Sequence, residues 1–406
     1  MINSSFRKLL ATQFLTVFND NLFKQTVLLI AVASANKFEG MQSLAQALFS
    51  LPFMVFAAAA GNLSDRLPKN AIIVYCKYIE LVFMLIATAS LYLENNNLLL
   101  ICVFLMGTQS AFLGPAKYGI IRDYCTPEQI PHANGLFQAS VLLAILIGTG
   151  SAGHLETSQQ WWGGLFMATV AWTGILIAKK MPLTPVKNIE KSLVSWNPIT
   201  LFKNSFSLAK KIPSMPTAIF SHACFWLCGS WMLLAWNELL APNKNGIVIA
   251  NLDKGQWSLL LASLSIAMGL GAFTSGYLNK NGYITKKNIL LGSTGMVLAL
   301  FFASHIVSQS YIEIWASLLA MSFFAGLYII PLKSFIQIQA PSNQLGKILG
   351  LSQMVDFTFI FIASATRPLL KNWGYDAQSL FLCCALVMLI ISTIVWKSFP
   401  KQVLLK

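Results

Sequence analysis

The chain has 406 residues, of which 56% are hydrophobic and only 10% charged, with a mean hydropathy of +0.64. Soluble domains carry roughly 25% charged residues, and a water-facing surface cannot be covered with so few, so lipid must be the solvent for most of the exterior. The net charge of +14 is spread over short loops with no Lys/Arg-rich block, which argues against nucleic acid as a partner and for basic loops on the cytosolic side of a bilayer.

Arg7 and Lys8 lead into an apolar run that ends near residue 33. It is too long for a signal-peptide core and lacks a small-residue cleavage site, so an uncleaved first helix is expected over 9–33. A crossing needs about 20 apolar residues. Further spans are therefore expected at 41–61, 71–93, 98–116, 135–155 and 162–181, then at 217–240, 256–278, 288–307, 311–332, 348–365 and 378–396. The fold class is an all-α membrane protein of about twelve transmembrane helices, with residues 1–181 and 216–406 as two six-helix bundles and 182–215 as the linker. Inside that linker Ile199, Phe202, Phe206 and Ala209 share a helical face while Lys203, Lys210 and Lys211 lie largely elsewhere. Two readings stand: a basic amphipathic helix on the anionic inner leaflet, or a solvated connection.

Lysine and arginine set the orientation. One alternate set of loops and termini holds most of them, including Arg7, Lys8, Arg66, Lys69, Arg122, Lys179, Lys180, Lys187, Lys191, Lys286, Lys287, Lys347, Lys397 and Lys406. The opposite set holds only Lys37, Lys244, Lys254, Arg367 and Lys371. Both termini and the linker are expected on the cytoplasmic side.

The halves repeat. Gly61-Asn62-Leu63-Ser64 at the end of the second span answers to Gly276-Tyr277-Leu278-Asn279 in the eighth, an offset of 215. Pro115-Ala116-Lys117 answers to Pro331-Leu332-Lys333, and Gly135-Leu136-Phe137-Gln138 to Gly350-Leu351-Ser352-Gln353, at nearly the same offset. Six helices return the chain to its starting side, so the repeat is parallel about an axis along the membrane normal, as in one class of secondary transporters.

Polar residues inside the spans are the candidates for chemistry. The first span carries Asn19-Asp20-Asn21 and Lys24, with Asp20 near the bilayer midplane, where a charge needs a polar cavity or a partner. Lys24 is four residues on, in the order suited to an ion pair with Asp20, so the pair either binds a ligand or neutralises itself. Lys77 and Glu80 repeat the device three residues apart in the third span, and Asp356 is the only acid near mid-membrane in the second half. Lys117 and Lys333 are expected at equivalent cytoplasmic helix ends, either snorkelling or forming a paired gate. Small residues recur every four positions at Ala144, Gly148 and Ala152 and at Ala267, Gly271 and Ser275. Such stripes permit close helix approach, either between the halves or within one bundle.

The seven cysteines show no zinc or Cys-x-x-Cys spacing, and no phosphate-binding Gly-x-x-x-x-Gly-Lys-Ser/Thr loop is present. None of His132, His154, His222 or His305 is followed by aspartate five positions on, as acyltransferase chemistry would need. No cofactor, metal site or enzymatic activity is expected.

The string Gly61-Asn62-Leu63-Ser64-Asp65-Arg66-Leu67-Pro68-Lys69 resembles the loop signature of the major facilitator superfamily, in which glycine lets a neighbouring helix approach and the Asp/Arg pair reaches a helix end. In the second half Lys280 and Asn281 replace Asp65 and Arg66. Phe18-Asn19-Asp20-Asn21-Leu22-Phe23-Lys24, Gly114-Pro115-Ala116-Lys117-Tyr118-Gly119-Ile120, Ala133-Asn134-Gly135-Leu136 and Phe225-Trp226 are similar to the bacterial lysophospholipid transporters of that superfamily. Some of those proteins are fused to acyltransferase and acyl-carrier-protein synthetase domains. The resemblance implies inward movement of lysophospholipids such as lysophosphatidylethanolamine across the bacterial inner membrane by alternating access, without ATP. It also suggests a separate acyltransferase partner and leaves room for a coupling cation. Candidate substrate contacts are Asn19, Asp20, Asn21, Lys24, Glu80, Lys117, Gln138, Gln353 and Asp356; candidate gating residues are Gly61, Asp65, Arg66, Lys69 and Lys333. Some members carry an arginine in the seventh span where this chain is apolar around Leu233, which leaves Lys24 or Lys117 to balance a headgroup phosphate. An exporter of amphipathic drugs or siderophores would share the fold and gate, and a membrane scaffold or sensor is the third class.

Overall fold

The computed structural model describes residues 3–33, 41–152, 161–186, 196–240, 254–279, 283–305 and 311–404. The expectations for Lys37, His154, Lys187, Lys191, Lys244, Lys280, Asn281 and Lys406 lie outside the described residues. Fourteen α-helices are described: α1 (Ser4–Ala33), α2 (Met41–Arg66), α3 (Lys69–Tyr92), α4 (Asn96–Gly119), α5 (Ile121–Tyr124), α6 (Ile130–Ala152), α7 (Trp161–Ala178), α8 (Pro198–Lys210), α9 (Met215–Leu240), α10 (Lys254–Leu278), α11 (Lys286–His305), α12 (Tyr311–Gln339), α13 (Leu345–Asn372) and α14 (Ala377–Ser398). Every expected span falls on one of them, and α5 and α8 are the additions.

Among the described residues, ten helices are long and apolar enough to cross a membrane, and Ala262–Leu278 of α10 is a shorter apolar stretch. α1 is 30 residues long and carries Asp20 and Lys24 in its interior. The outer faces of α3, α11 and α14 expose half or more of Tyr75, Leu85, Leu298, Phe302, Leu386 and Ile390, as lipid-facing helices must.

Local chemistry sets several helix starts. The Asn95 side chain accepts from the Leu98 amide to cap α4, Asn197 accepts from Ile199 and Thr200 to cap α8, and Asp376 accepts from Ser379 to cap α14. Gly374, at φ 87°, supplies the left-handed residue that ends α13. Pro115 and Pro331 were expected near helix ends. Instead α4 continues through Pro115 to Gly119 and α12 through Pro331 to Gln339. Membrane helices tolerate proline where neighbours re-satisfy the freed carbonyl. Lys333 thereby lies inside α12, six residues before its end.

The chain forms two compact units. The first comprises Met1–Thr126, Leu143–Ile212 and Gln339–Phe357. Within it α2 packs along α4, α3 along α7 and α4, and α1 along α7. α8 lies against α2: Leu201, Ser205 and Ala209, four residues apart, form its buried stripe, and Leu201 clusters with Ala58 and Ala59 of α2 and Met354 of α13. Of the residues expected on one apolar face, Ala209 is buried, Phe202 and Phe206 are half-buried and Ile199 is 65% exposed.

The second unit comprises Pro127–Leu142, Pro213–Ile338 and Thr358–Lys406. Here α14 packs on α11 and α9. In the sequence repeat these pairs answer to α3 with α7 and α1 with α7 in the first unit. A two-stranded antiparallel ribbon, β1 (Tyr283–Thr285) with β2 (Gln402–Leu404), pairs Ile284 with Val403.

Candidate functional site

Asp20 is sixteen residues beyond Ser4 in a 30-residue helix, about 24 Å along an axis that rises ~1.5 Å per residue. Polar groups at that depth must find partners or face a cavity. Lys77 and Glu80 of α3 are fully buried, and the Lys77 ammonium donates to both Glu80 carboxylate oxygens at 2.7 Å. α1 completes the cluster: Asn19 Nδ2 donates to Glu80 Oε1 at 2.9 Å, and Thr16 Oγ1 accepts from Lys77 at 3.2 Å. α7 makes room for it, because a side chain at Gly174 would run into the Lys77 Cε and Nζ atoms. The buried charge is therefore paired and hydrogen-bonded, and it ties α1 to α3.

Asp20 is held differently. Its Oδ2 accepts from Ser110 of α4 at 3.3 Å, while its Oδ1 is buried with no hydrogen-bond partner among the described residues. Gln109, beside Ser110, donates to the Cys76 carbonyl at 3.1 Å. The expected ion pair between Asp20 and Lys24 does not form among the described residues. The Lys24 ammonium lies 5.0 Å from the centroid of the Phe49 ring of α2, a cation–π contact offered by tertiary packing that helical spacing could not reveal. Asn21 donates to the Val17 carbonyl of its own helix at 2.7 Å. The polar residues of α1 thus divide: Asn21 serves its own helix and Asn19 serves Glu80, while Asp20 and half-buried Lys24 keep capacity for a ligand. Gln13, two turns before Asp20 on the same face, is also buried with Nε2 unpartnered. Gln13 belongs to the string similar to the lysophospholipid transporters but was not among the candidate contacts, although its spacing from Asp20 was the available signal.

The second constellation lies where α2 crosses α13, inside the first unit. Phe53 and Phe357 stack with ring centroids 3.6 Å apart. Further along, a Cβ at Gly350 would meet the Ala57 carbonyl, and one at Gly61 would meet the Gly346 carbonyl and Gly350 Cα, so the two backbones touch. At the end of the crossing Asp65, 4% exposed, accepts from the Gly346 amide at 2.6 Å and the Lys347 amide at 2.9 Å. These amides open α13 and have no partner within their own helix, and the positive end of the helix dipole favours the carboxylate. Arg66 turns back to Asn62 Oδ1 of its own helix at 3.1 Å. Lys69 forms a buried ion pair with Asp123 at 2.9 Å, and its amide donates to Thr184 Oγ1 at 2.8 Å. Arg122 donates to the Ala340 carbonyl. Asp123 and Thr184 were not singled out in the sequence, and Arg122 only for orientation, because polar residues in short loops ordinarily read as solvated.

The remaining candidates are more dispersed. Lys117 is half-buried on α4 with its ammonium 5.6 Å from the Tyr118 ring centroid. Gln353 fills the space beside Gly114. Asp356 and Lys333 are buried on α13 and α12, and Gln138 is half-buried on α6. Leu233 is 44% exposed on α9. The small-residue stripes pack within a bundle: Gly148 against the Phe18 carbonyl of α1, and Gly271 against the Phe323 carbonyl of α12.

In the second unit α6 crosses α10 in the same manner. A Cβ at Gly135 would meet the Ala272 carbonyl, and Gly276 abuts the Pro131 carbonyl and the Cα atoms of His132 and Gly135. Beside this crossing Asn134, 3% exposed, donates to Ser334 Oγ at 2.9 Å and to Gln337 Oε1, both fully buried on α12. Among the described residues no group of three His, Cys, Asp or Glu side chains gathers to hold a metal.

A family model for the Major Facilitator Superfamily matches residues 9–364. The lysophospholipid transporter LplT of Pectobacterium carotovorum subsp. carotovorum (strain PC1) is 24% identical over 347 residues, covering 83% of this chain and 79% of that protein. The lysophospholipid transporter LplT of Enterobacter sp. (strain 638) is 25% identical over 335 residues, covering 80% and 78%. Among solved structures the chain is similar to a Major Facilitator Superfamily transporter, FucP, in the outward conformation, with a TM-score of 0.77 at 14% identity over 98% of this chain and 99% of that one. That last likeness is one of fold.

Proposed function

The chain belongs to the Major Facilitator Superfamily, and on that premise we propose that this multi-pass membrane protein carries lysophospholipid across a bacterial inner membrane toward the cytoplasm by alternating access. Both termini are cytoplasmic in this reading, and residues 1–181 and 216–406 are the moving halves, joined by the linker 182–215. The relatives named as lysophospholipid transporters, each matched over about four-fifths of this chain, support the substrate class. Asp20 carries the mechanism: a carboxylate in the interior of a spanning helix, with one buried oxygen unpartnered, is costly unless a ligand or cation completes it.

The chemistry follows from the substrate. A lysophospholipid has one acyl chain and a zwitterionic or anionic head. Asp20 would take the cationic head group or a coupling cation, while Lys24 and Lys117, both half-buried, would balance the phosphate. Gln138, Gln353 and Asp356 are further proposed contacts. Asn19 and Glu80 act at one remove, through the Lys77 network that fixes α1 on α3. Asp65 and Gly61 hold the cytoplasmic side of α2 shut against α13, with Lys69, Arg66 and Lys333 as further gating residues, and transport requires that clasp to break. A separate acyltransferase would consume the product on the cytoplasmic face.

The test is uptake into proteoliposomes of lysophosphatidylethanolamine against diacyl phosphatidylethanolamine, with and without sodium or proton gradients. Saturable uptake of the lysolipid alone is expected, falling at least tenfold in Asp20→Asn at unchanged membrane insertion. Equal handling of both lipids, or wild-type uptake by Asp20→Asn, would remove this reading. Export of amphipaths driven by protons would favour the exporter.

A further inference from the structure

The linker helix α8 combines a seat on the α2–α13 crossing with an unpartnered basic surface. Residues 182–216 hold five lysines and one glutamate, and α8 itself has no acid. Leu201, Ser205 and Ala209 form its buried stripe; Leu201 packs with Ala58 and Ala59, two to three residues from Gly61, and with Met354, one turn beyond Gly350. The helix therefore straps the two elements whose backbones touch at Gly61 and Gly350. Lys203, Lys210 and Lys211 point outward and are exposed, and no carboxylate pairs with them among the described residues. Lys210 holds its ammonium 4.8 Å from the Phe206 ring centroid, a cation–π contact on the exposed side of the helix. At the helix entry Trp196 and Ile199 are 59% and 65% exposed, the residue types that settle at the headgroup boundary.

We propose that α8 binds the acidic phospholipid headgroups of the adjacent leaflet through Lys203, Lys210 and Lys211, and that this contact tightens the α2–α13 crossing beneath it. Charge complementarity selects the occupant: three cations, exposed apolar anchors and no acid match an anionic membrane surface. The proposal does not depend on which molecule is carried. Each lysine near such a surface is worth about fivefold in binding, so the three together give on the order of a hundredfold in low salt, falling as salt screens the field.

Hydrogen–deuterium exchange on the full-length protein tests this, in nanodiscs of phosphatidylcholine alone or with phosphatidylglycerol mixed in. Phosphatidylglycerol should slow exchange in peptides covering 198–210 and 345–350, and high salt should reverse the effect. Replacing Lys203, Lys210 and Lys211 together by glutamine should abolish the lipid response while exchange in phosphatidylcholine stays as in wild type; the triple arginine variant should keep the response. Equal exchange of wild type in the two lipids, or a full response in the glutamine variant, would overturn the proposal. Slowing at 198–210 without any change at 345–350 would overturn the coupling to the crossing.

Discussion

Pro131 stands in the α6–α10 crossing where Gly346 stands in the α2–α13 crossing, and it has no amide hydrogen to donate. The two crossings match position by position at an offset of 215: Ala57 with Gly350 answers to Ala272 with Gly135, and Gly61 with Gly346 to Gly276 with Pro131. The first adds a carboxylate clasp, Asp65 on the amides of Gly346 and Lys347. At the equivalent of Asp65 the second half has Lys280. The acceptor and one of its two donors are thus replaced, while the backbone contact remains.

Asp65→Asn should loosen the first crossing. Asparagine keeps one acceptor oxygen but loses the charge, and a charge-assisted bond to a helix start is worth about 1.5–3 kcal/mol. With native cysteines replaced and a single reporter placed by Ser64→Cys, alkylation from the cytoplasmic side should rise roughly tenfold or more. An unchanged rate would mean that the clasp does not limit opening.

Gly350→Leu and Gly135→Leu should impair closure to a similar degree, because in each crossing a side chain there meets the carbonyl of an alanine on the facing helix. Helix backbones this close tolerate only small residues. The same alkylation assay, run with one reporter beside each crossing, checks the parity. A strong effect at Gly350 with none at Gly135 would break the equivalence of the two crossings.

The Lys77–Glu80 pair should behave as a packing element. Glu80→Ala leaves a fully buried ammonium without its carboxylate, a loss of about 3–5 kcal/mol. Lys77→Met combined with Glu80→Leu removes both charges and should recover most of the thermal stability measured in detergent. If the double variant is stable yet lacks uptake, the pair contributes more than packing, through the Asn19 hydrogen bond.

Much of this was legible in the residues. Apolar run length located every long helix, and the strings around Gly61, Pro115 and Gly135 disclosed the repeat whose crossings are described above. What sequence could not supply was choice of partner. Helical spacing offered Lys24 to Asp20, but a Phe49 ring on another helix took it. Spacing offered Glu80 to Lys77, and there no competitor intervened. In α8 periodicity grouped Ile199, Phe202, Phe206 and Ala209, whereas the side chains buried in the protein are Leu201, Ser205 and Ala209. Hydrophobic periodicity reports which residues avoid water, and in a membrane protein lipid satisfies that demand as well as a helix does.

Asn134 stands beside the second crossing and is 3% exposed. Its side-chain amide is a buried polar link from α6 to α12, donating to Ser334 and Gln337. At the repeat-equivalent position the first crossing has Leu349. Asn134→Leu should therefore fit sterically yet leave two buried acceptors without their donor, costing about 1–3 kcal/mol. Adding Gln337→Leu removes one of those acceptors and should return at least half of the lost thermal stability. If the single variant proves as stable as wild type, the amide is not what fastens α6 to α12, and the backbone contact at Gly135 and Gly276 suffices.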